Sequence, residues 1–148
     1  MTRKVMRGFD RAKLTQARIA KNLSVADLAR LTGISVSALH KWEAGQATPQ
    51  IDFLVRIMAT LKTPIDQVVT IDPADRYPGD WRVIRGLTQP QLAAAARIAT
   101  STLRGIERGE KGLSDANAET LAQILGISTA EYRQAYEHAR QRPPGTTA

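Results

Sequence analysis

The sequence repeats itself at a constant offset of 64 residues, and this repeat restricts the fold more than any other feature. Arg18 returns as Arg82, Leu23 as Leu87, Leu28-Ala29 as Leu92-Ala93 and Ile34 as Ile98. Ser37 returns as Ser101, Leu39 as Leu103, Glu43 as Glu107, Gly45 as Gly109 and Leu61 as Leu125. Most matched positions are apolar or turn positions, while the polar positions between them differ. One scaffold built twice, carrying two different surfaces, explains such a pattern better than low complexity does. A length of 148 residues allows two small cores, and domains of roughly 60 residues can fold alone.

Within each copy the periodicity is helical, and no strand-like alternation of useful length appears. Asp10 is placed to cap a helix reaching about Lys21, and Ser24 caps the next, with Asp27 completing a capping box. Leu28 and Leu31 form the apolar face of that second helix. Gly33 supplies the positive φ of an abrupt turn, and Ser35 caps a third helix with Leu39 and Trp42 on its inner face. Gly45 ends it. Thr48 as cap and Pro49 in the first turn predict a fourth helix bearing Ile51, Leu54, Ile57, Met58 and Leu61. The stretch "TPIDQVV" predicts a short fifth. In the second copy Arg97 stands at the turn-glycine position, at a cost of about 1 kcal/mol if the left-handed conformation is kept. Ala99 replaces the capping serine. The last helix opens on a Ser128/Glu131 capping box and carries a stripe of Tyr132, Ala135, Tyr136 and Ala139. Tyr132 is expected to pack on its own domain, and Ala135 and Ala139 are candidates for a dimer contact.

Charge separates the halves. Residues 1–70 hold 11 Lys and Arg against 5 Asp and Glu, whereas residues 71–148 hold 10 against 9. The net +7 favours a polyanionic partner. Asp72, Asp75 and Asp80 share "IDPADRYPGD" with two prolines and a glycine, a linker composition. The chain has no cysteine, which excludes disulfides, thiolate metal sites and cysteine nucleophiles. No apolar run approaches the roughly 20 residues of a membrane helix, and the basic start lacks the apolar core of a secretory signal. A cytoplasmic protein with no membrane partner is expected. His40 and His138 have no ligand cluster around them, so neither a metal nor another cofactor is expected.

A helix, a short glycine-containing turn and a second helix at a steep angle form the helix-turn-helix unit. Both "LSVADLARLTGISVSALHKWEAG" and "LTQPQLAAAARIATSTLRGIERG" resemble the Cro and phage-repressor family, the lambda-repressor-like or XRE type. The resemblance covers nearly the whole chain. It implies an all-α protein of two tandem five-helix helix-turn-helix domains joined by a short linker. The expected divisions are a basic arm at 1–9, a first domain at 10–70, a linker at 71–78, a second domain at 79–142 and an unstructured tail at 143–148.

The same resemblance implies double-stranded DNA as partner. By it, the helix 35–43 reads base edges through Val36, Ser37, His40 and Lys41, and a helix 99–108 offers Thr100, Ser101 and Arg104. Lys41 can donate to guanine and Val36 can meet a thymine methyl. Ser35, Gln46, Thr48, Gln89 and Lys111 are implied as backbone contacts, while Val25 stands where the family usually offers a glutamine. Arg18 with Glu43, and Arg82 with Glu107, are implied as structural ion pairs. The arm with Arg3, Lys4, Arg7 and Arg11 is either a solvated terminus or a contact to phosphates or the minor groove. Two uses stay open for the second copy: a second reading head, or association, with a homodimer formed through domain 2 or the C-terminal helix. The leading function is a sequence-specific transcriptional regulator, most often a repressor in this family. The alternative is an antitoxin-like or other protein-binding module with secondary DNA binding. An enzyme is not expected, because no nucleophile–base pair, carboxylate dyad or phosphate loop can be placed on the scaffold.

Overall fold

The structure is a computed structural model that describes residues 5–148. The chain divides into two compact units, one ending at Thr70 and the other beginning at Ile71. Among the described residues the regular structure is helical, apart from one antiparallel bridge between Phe9 and Val69. No described helix is long and apolar enough to cross a membrane.

The first unit contains α1 (Arg11–Ala20), α2 (Val25–Thr32), α3 (Val36–Glu43) and α4 (Ile51–Leu61). Asp10 caps α1 by accepting from the Lys13 N–H, and Ser24 and Asp27 satisfy each other's backbone amides at the start of α2. The corner between α2 and α3 uses Gly33 at φ 72°. The Thr32 hydroxyl also holds it, donating to the Leu28 carbonyl at 2.7 Å and accepting from the Ile34 amide at 3.3 Å. Leu14, Leu28, Leu39, Leu54, Ile57, Leu61 and Val68 are fully buried and make the core. Two expectations are corrected. Helix α4 begins at Ile51 with Gln50 as its unbonded cap, because the Thr48 hydroxyl is taken by the Met6 amide at 2.9 Å. The fifth helix of this unit is only a 3-10 turn at Ile65–Gln67. It hands the chain to Val68 and Thr70, whose backbones bond Asp10 and Gly8.

The second unit contains a 3-10 turn (Pro73–Asp75), α5 (Pro78–Ile84), α6 (Gln89–Ala96), α7 (Thr100–Glu107), α8 (Asp115–Leu125) and α9 (Thr129–Gln141). Residues 71–78, expected as a linker, therefore include a folded turn that packs on α9. The Ile71 carbonyl accepts from Arg76 Nε at 3.0 Å, and the Arg76 guanidinium lies 4.3 Å from the Trp81 ring centre. Residues 143–148, expected as an unstructured tail, carry no helix or strand, and the Thr146 carbonyl accepts a local bond from Arg142 Nε at 2.8 Å. Arg97 keeps the left-handed conformation at φ 58° without glycine, and Ala99 gives α7 no side-chain cap. Deep burial of Leu92, Leu103, Ile106, Leu121 and Leu125 offsets those local costs.

Helix α9 lies against α5, α7 and α8. Ala135 and Ala139 are 2% and 0% exposed within their own unit. The small-residue stripe is thus consumed internally, which corrects its expected use in a dimer contact. Tyr132 is fully buried, and its hydroxyl has no hydrogen-bond partner among the described residues. Burial above all, with the Glu107 charge adding, pushes its phenol far above the ordinary range. A buried hydroxyl left unpaired opposes folding, so Tyr132→Phe is expected to stabilise the second unit by about 1 kcal/mol. A urea midpoint that falls on this substitution would show that the hydroxyl contributes a bond.

Candidate nucleic-acid interface

Helix α3 is locked from behind. Leu39 is fully buried, and Trp42 is 8% exposed with its ring 5.9 Å from that of Phe53. One face of an eight-residue helix is thereby fixed, and the opposite face is left to solvent. That outer face carries Val36, Ser37, His40 and Lys41, all exposed. Ser35, by contrast, uses its hydroxyl on the Ala38 amide at 3.1 Å as the N-cap. The far end of α3 is closed by Arg11, whose Nη1 donates to the Ala44 carbonyl at 2.8 Å. Arg11, read as part of the basic arm, is thus the first residue of α1 and a cap on α3. A cation at a helix C-terminus is favoured by the helix dipole.

Beyond α3, Gln46 is exposed and Thr48 is partly buried. Through the Met6–Thr48 bond the described part of the N-terminal arm lies against this loop, which brings Arg7 to the loop's neighbourhood. Arg3 and Lys4 lie outside the described residues.

Both ion pairs read from the sequence form, each with two hydrogen bonds. In the first unit Arg18 Nε meets Glu43 Oε2 at 2.9 Å and Nη2 meets Oε1 at 2.8 Å. Thr15 also donates to Oε1, at 2.8 Å. Burial opposes the charge on Glu43, but the bonds from Arg18 and Thr15 outweigh it and hold the carboxyl below its ordinary range. In the second unit Arg82 Nε meets Glu107 Oε2 at 2.8 Å and Nη2 meets Oε1 at 3.1 Å. Here the side chains are only 7% and 5% exposed. Each arginine also donates to the turn after its own helix, Arg18 to Leu23 and Arg82 to Leu87. The pairs thereby tie α1 to the following turn and the end of α3, and α5 to the following turn and the end of α7.

The second unit differs in its details. Ser101 and Arg104 are exposed on α7, and Thr100 is half-buried. Gln89, expected at the DNA backbone, turns inward and donates from Nε2 to Glu107 Oε1 at 2.9 Å. The sequence holds the reason. Gly79 stands where the first unit has Thr15, so no hydroxyl reaches that carboxylate oxygen and the glutamine amide takes its place. Lys111 folds over Gly105, and its carbonyl accepts from the Tyr136 hydroxyl at 2.6 Å. The end of α7 is closed by Arg142, which donates to the Arg108 carbonyl. Thr15 and Arg142 escaped the sequence reading, and Arg11 and Tyr136 were read without these bonds, because the partners sit 25 to 34 residues away with no periodic signal.

No group of three or more His, Cys, Asp or Glu side chains able to hold a metal occurs among the described residues. In comparisons with known proteins, a family model described as helix-turn-helix matches twice, over residues 14–68 and 80–132. No curated protein and no solved structure gives a significant match.

Proposed function

The chain belongs to the lambda-repressor-like helix-turn-helix family in two tandem copies, and from that premise we propose that it is a sequence-specific transcriptional repressor of double-stranded DNA. The observation that carries this reading is the outer face of α3. Ser37, His40 and Lys41 are exposed and mutually adjacent on a helix whose other face is immobilised by Leu39 and Trp42. A recognition helix must enter the major groove with its reading side chains already presented, while neighbouring elements meet the phosphates. The unit that holds α3 is also the one with the large excess of Lys and Arg. Gln46, Thr48 and Arg7 flank it as backbone contacts, and Ser101 and Arg104 give the second unit a different polar face on the equivalent helix. That difference favours two unlike reading heads over one duplicated one.

Binding to genomic fragments, followed by gel shift at several salt concentrations, tests the proposal. Affinity should fall linearly on a log–log plot against salt, with a slope that counts the neutralised phosphates. Lys41→Ala is expected to cost roughly 1–3 kcal/mol on the preferred sequence and little on random DNA. It should also leave the salt slope nearly unchanged. Equal losses on both DNAs would remove Lys41 from the reading set, and affinity insensitive to salt would remove DNA as the target.

A further inference from the structure

The 64-residue offset pairs Lys41 with Gly105 and Ala47 with Lys111. A lysine is thus present in both units, but it has moved from the recognition helix to the loop that follows. The structure shows where the displaced side chain goes. A Cβ built on Gly105 would stand 2.6 Å from Lys111 Cγ, 2.8 Å from its Cδ and 3.1 Å from its Cβ. The stem of Lys111 therefore occupies the space over the bare helix position. Gly105 is buried although it stands where the first unit presents the exposed Lys41, and Lys111 itself is exposed.

The loop is held for this purpose from two sides. The Lys111 amide donates to the Gly105 carbonyl at 3.1 Å, and the Lys111 carbonyl accepts from the Tyr136 hydroxyl at 2.6 Å. Only a residue without a side chain at position 105 leaves room for the stem. Gly105 lies one helical turn after Ser101 and next to Arg104, both exposed, and Nζ lies two bonds beyond the Lys111 Cδ that sits over it.

We propose that Lys111 is the base-reading cation of the second unit, replacing on α7 what Lys41 supplies on α3 and addressing a guanine edge in the major groove. Lysine donating to guanine O6 or N7 is the chemistry implied. The inference rests on the reading that the second unit contacts DNA, and it assigns Lys111 to bases, where the family resemblance implies a phosphate contact.

Selection of preferred sites from a random double-stranded pool, with the full-length chain, tests it. The wild type should prefer guanine at a position that Lys111→Met makes indifferent, with a loss on the preferred site on the order of 5- to 150-fold. Methionine keeps a stem over Gly105 and removes only the charge, so the unit should remain folded by its thermal melt. Gly105→Lys combined with Lys111→Ala returns the lysine to the helix and should restore a guanine preference. If Lys111→Met weakens every sequence by the same factor and lowers the salt slope by about one, Lys111 is a phosphate contact and the proposal falls. Arg104→Ala distinguishes the two levels of failure. A changed preference for Arg104→Ala with none for Lys111→Met overturns the role of Lys111 alone. Unchanged preferences for both variants overturn it together with DNA reading by the second unit.

Discussion

Replacing Glu107 with alanine is expected to destabilise the second unit by about 3–5 kcal/mol. The carboxylate is 5% exposed and carries three hydrogen bonds, two from Arg82 and one from Gln89. Removing it strands the Arg82 charge in a buried site, where water does not compensate, and releases the Gln89 amide. A unit of this size is stabilised by roughly 4–12 kcal/mol in total on the usual per-residue scale, so the substitution removes a large share. Glu43→Ala should cost less, because the first pair is 13% and 10% exposed and its arginine regains solvent more easily. The chain has two tryptophans, Trp42 in one unit and Trp81 in the other. Labelling with 5-fluorotryptophan therefore gives one ¹⁹F reporter per unit, and urea titration follows both in the intact chain. The Trp81 resonance should shift to the unfolded position at much lower urea while that of Trp42 stays. Unchanged Trp81 behaviour would mean that the pair contributes nothing net.

Gly109→Ala is the second large loss expected, and its counterpart Gly45→Ala should be milder. Gly45 follows α3 and Gly109 follows α7, and both have positive φ, 78° at Gly45 and 71° at Gly109. An L side chain pays about 1–2 kcal/mol for that conformation at either site. Their surroundings differ. A Cβ at Gly109 would lie 2.7 Å from the backbone nitrogen of Arg140 and 2.8 Å from its Cα, so α9 itself must move. Overpacking of that kind adds about 1–3 kcal/mol, for a total of roughly 2–5 kcal/mol. At Gly45 the obstacle is the Arg11 side chain, 2.8 Å away at Cδ, which can swing aside. The same two ¹⁹F reporters compare the variants. Equal losses would show that α9 yields as readily as a free side chain.

Local chemistry was the part of this fold most open to reading in the sequence. Asp10, Ser24 with Asp27, Gly33, Ser35, and Ser128 with Glu131 each act within a few residues of themselves, and each sits at the helix end where its spacing placed it. The ion pairs were legible through the family resemblance, with the repeat showing the same two residue types at the same separation twice. What escaped depends on distant partners. The Thr48 hydroxyl looked like a helix cap until the Met6 amide, 42 residues earlier, is seen to bond it. The Ala135 and Ala139 stripe correctly signals close helix approach, but periodicity does not say whether the neighbour is another chain or the same unit. The candidate reading face shows the same division. Exposure of Ser37, His40 and Lys41 follows from the burial of Leu39 and Trp42 one turn around. The inward turn of Gln89 and the lay of Lys111 follow instead from absent side chains at Gly79 and Gly105, whose effects appear only in three dimensions.

The two units close α3 and α7 from opposite ends of their own stretches of chain. In the first unit the cap comes from Arg11, at the start of α1. In the second it comes from Arg142, just past α9, and α9 also supplies Tyr136 beneath the Lys111 loop and the Arg140 backbone against Gly109. A ribosome releases the chain from its amino end, and domains fold in that order as they emerge. The first unit thus has its α3 cap, Arg11, on the chain before α3 appears, although Phe53 of α4, which packs behind α3, follows it. In the second unit α7 comes early, but its cap, its loop anchor and its wall come with α9 or just after it. During synthesis there is an interval in which α3 is complete and α7 still lacks its end cap, its loop anchor and its wall. A nascent chain therefore completes the surroundings of α3 before those of α7.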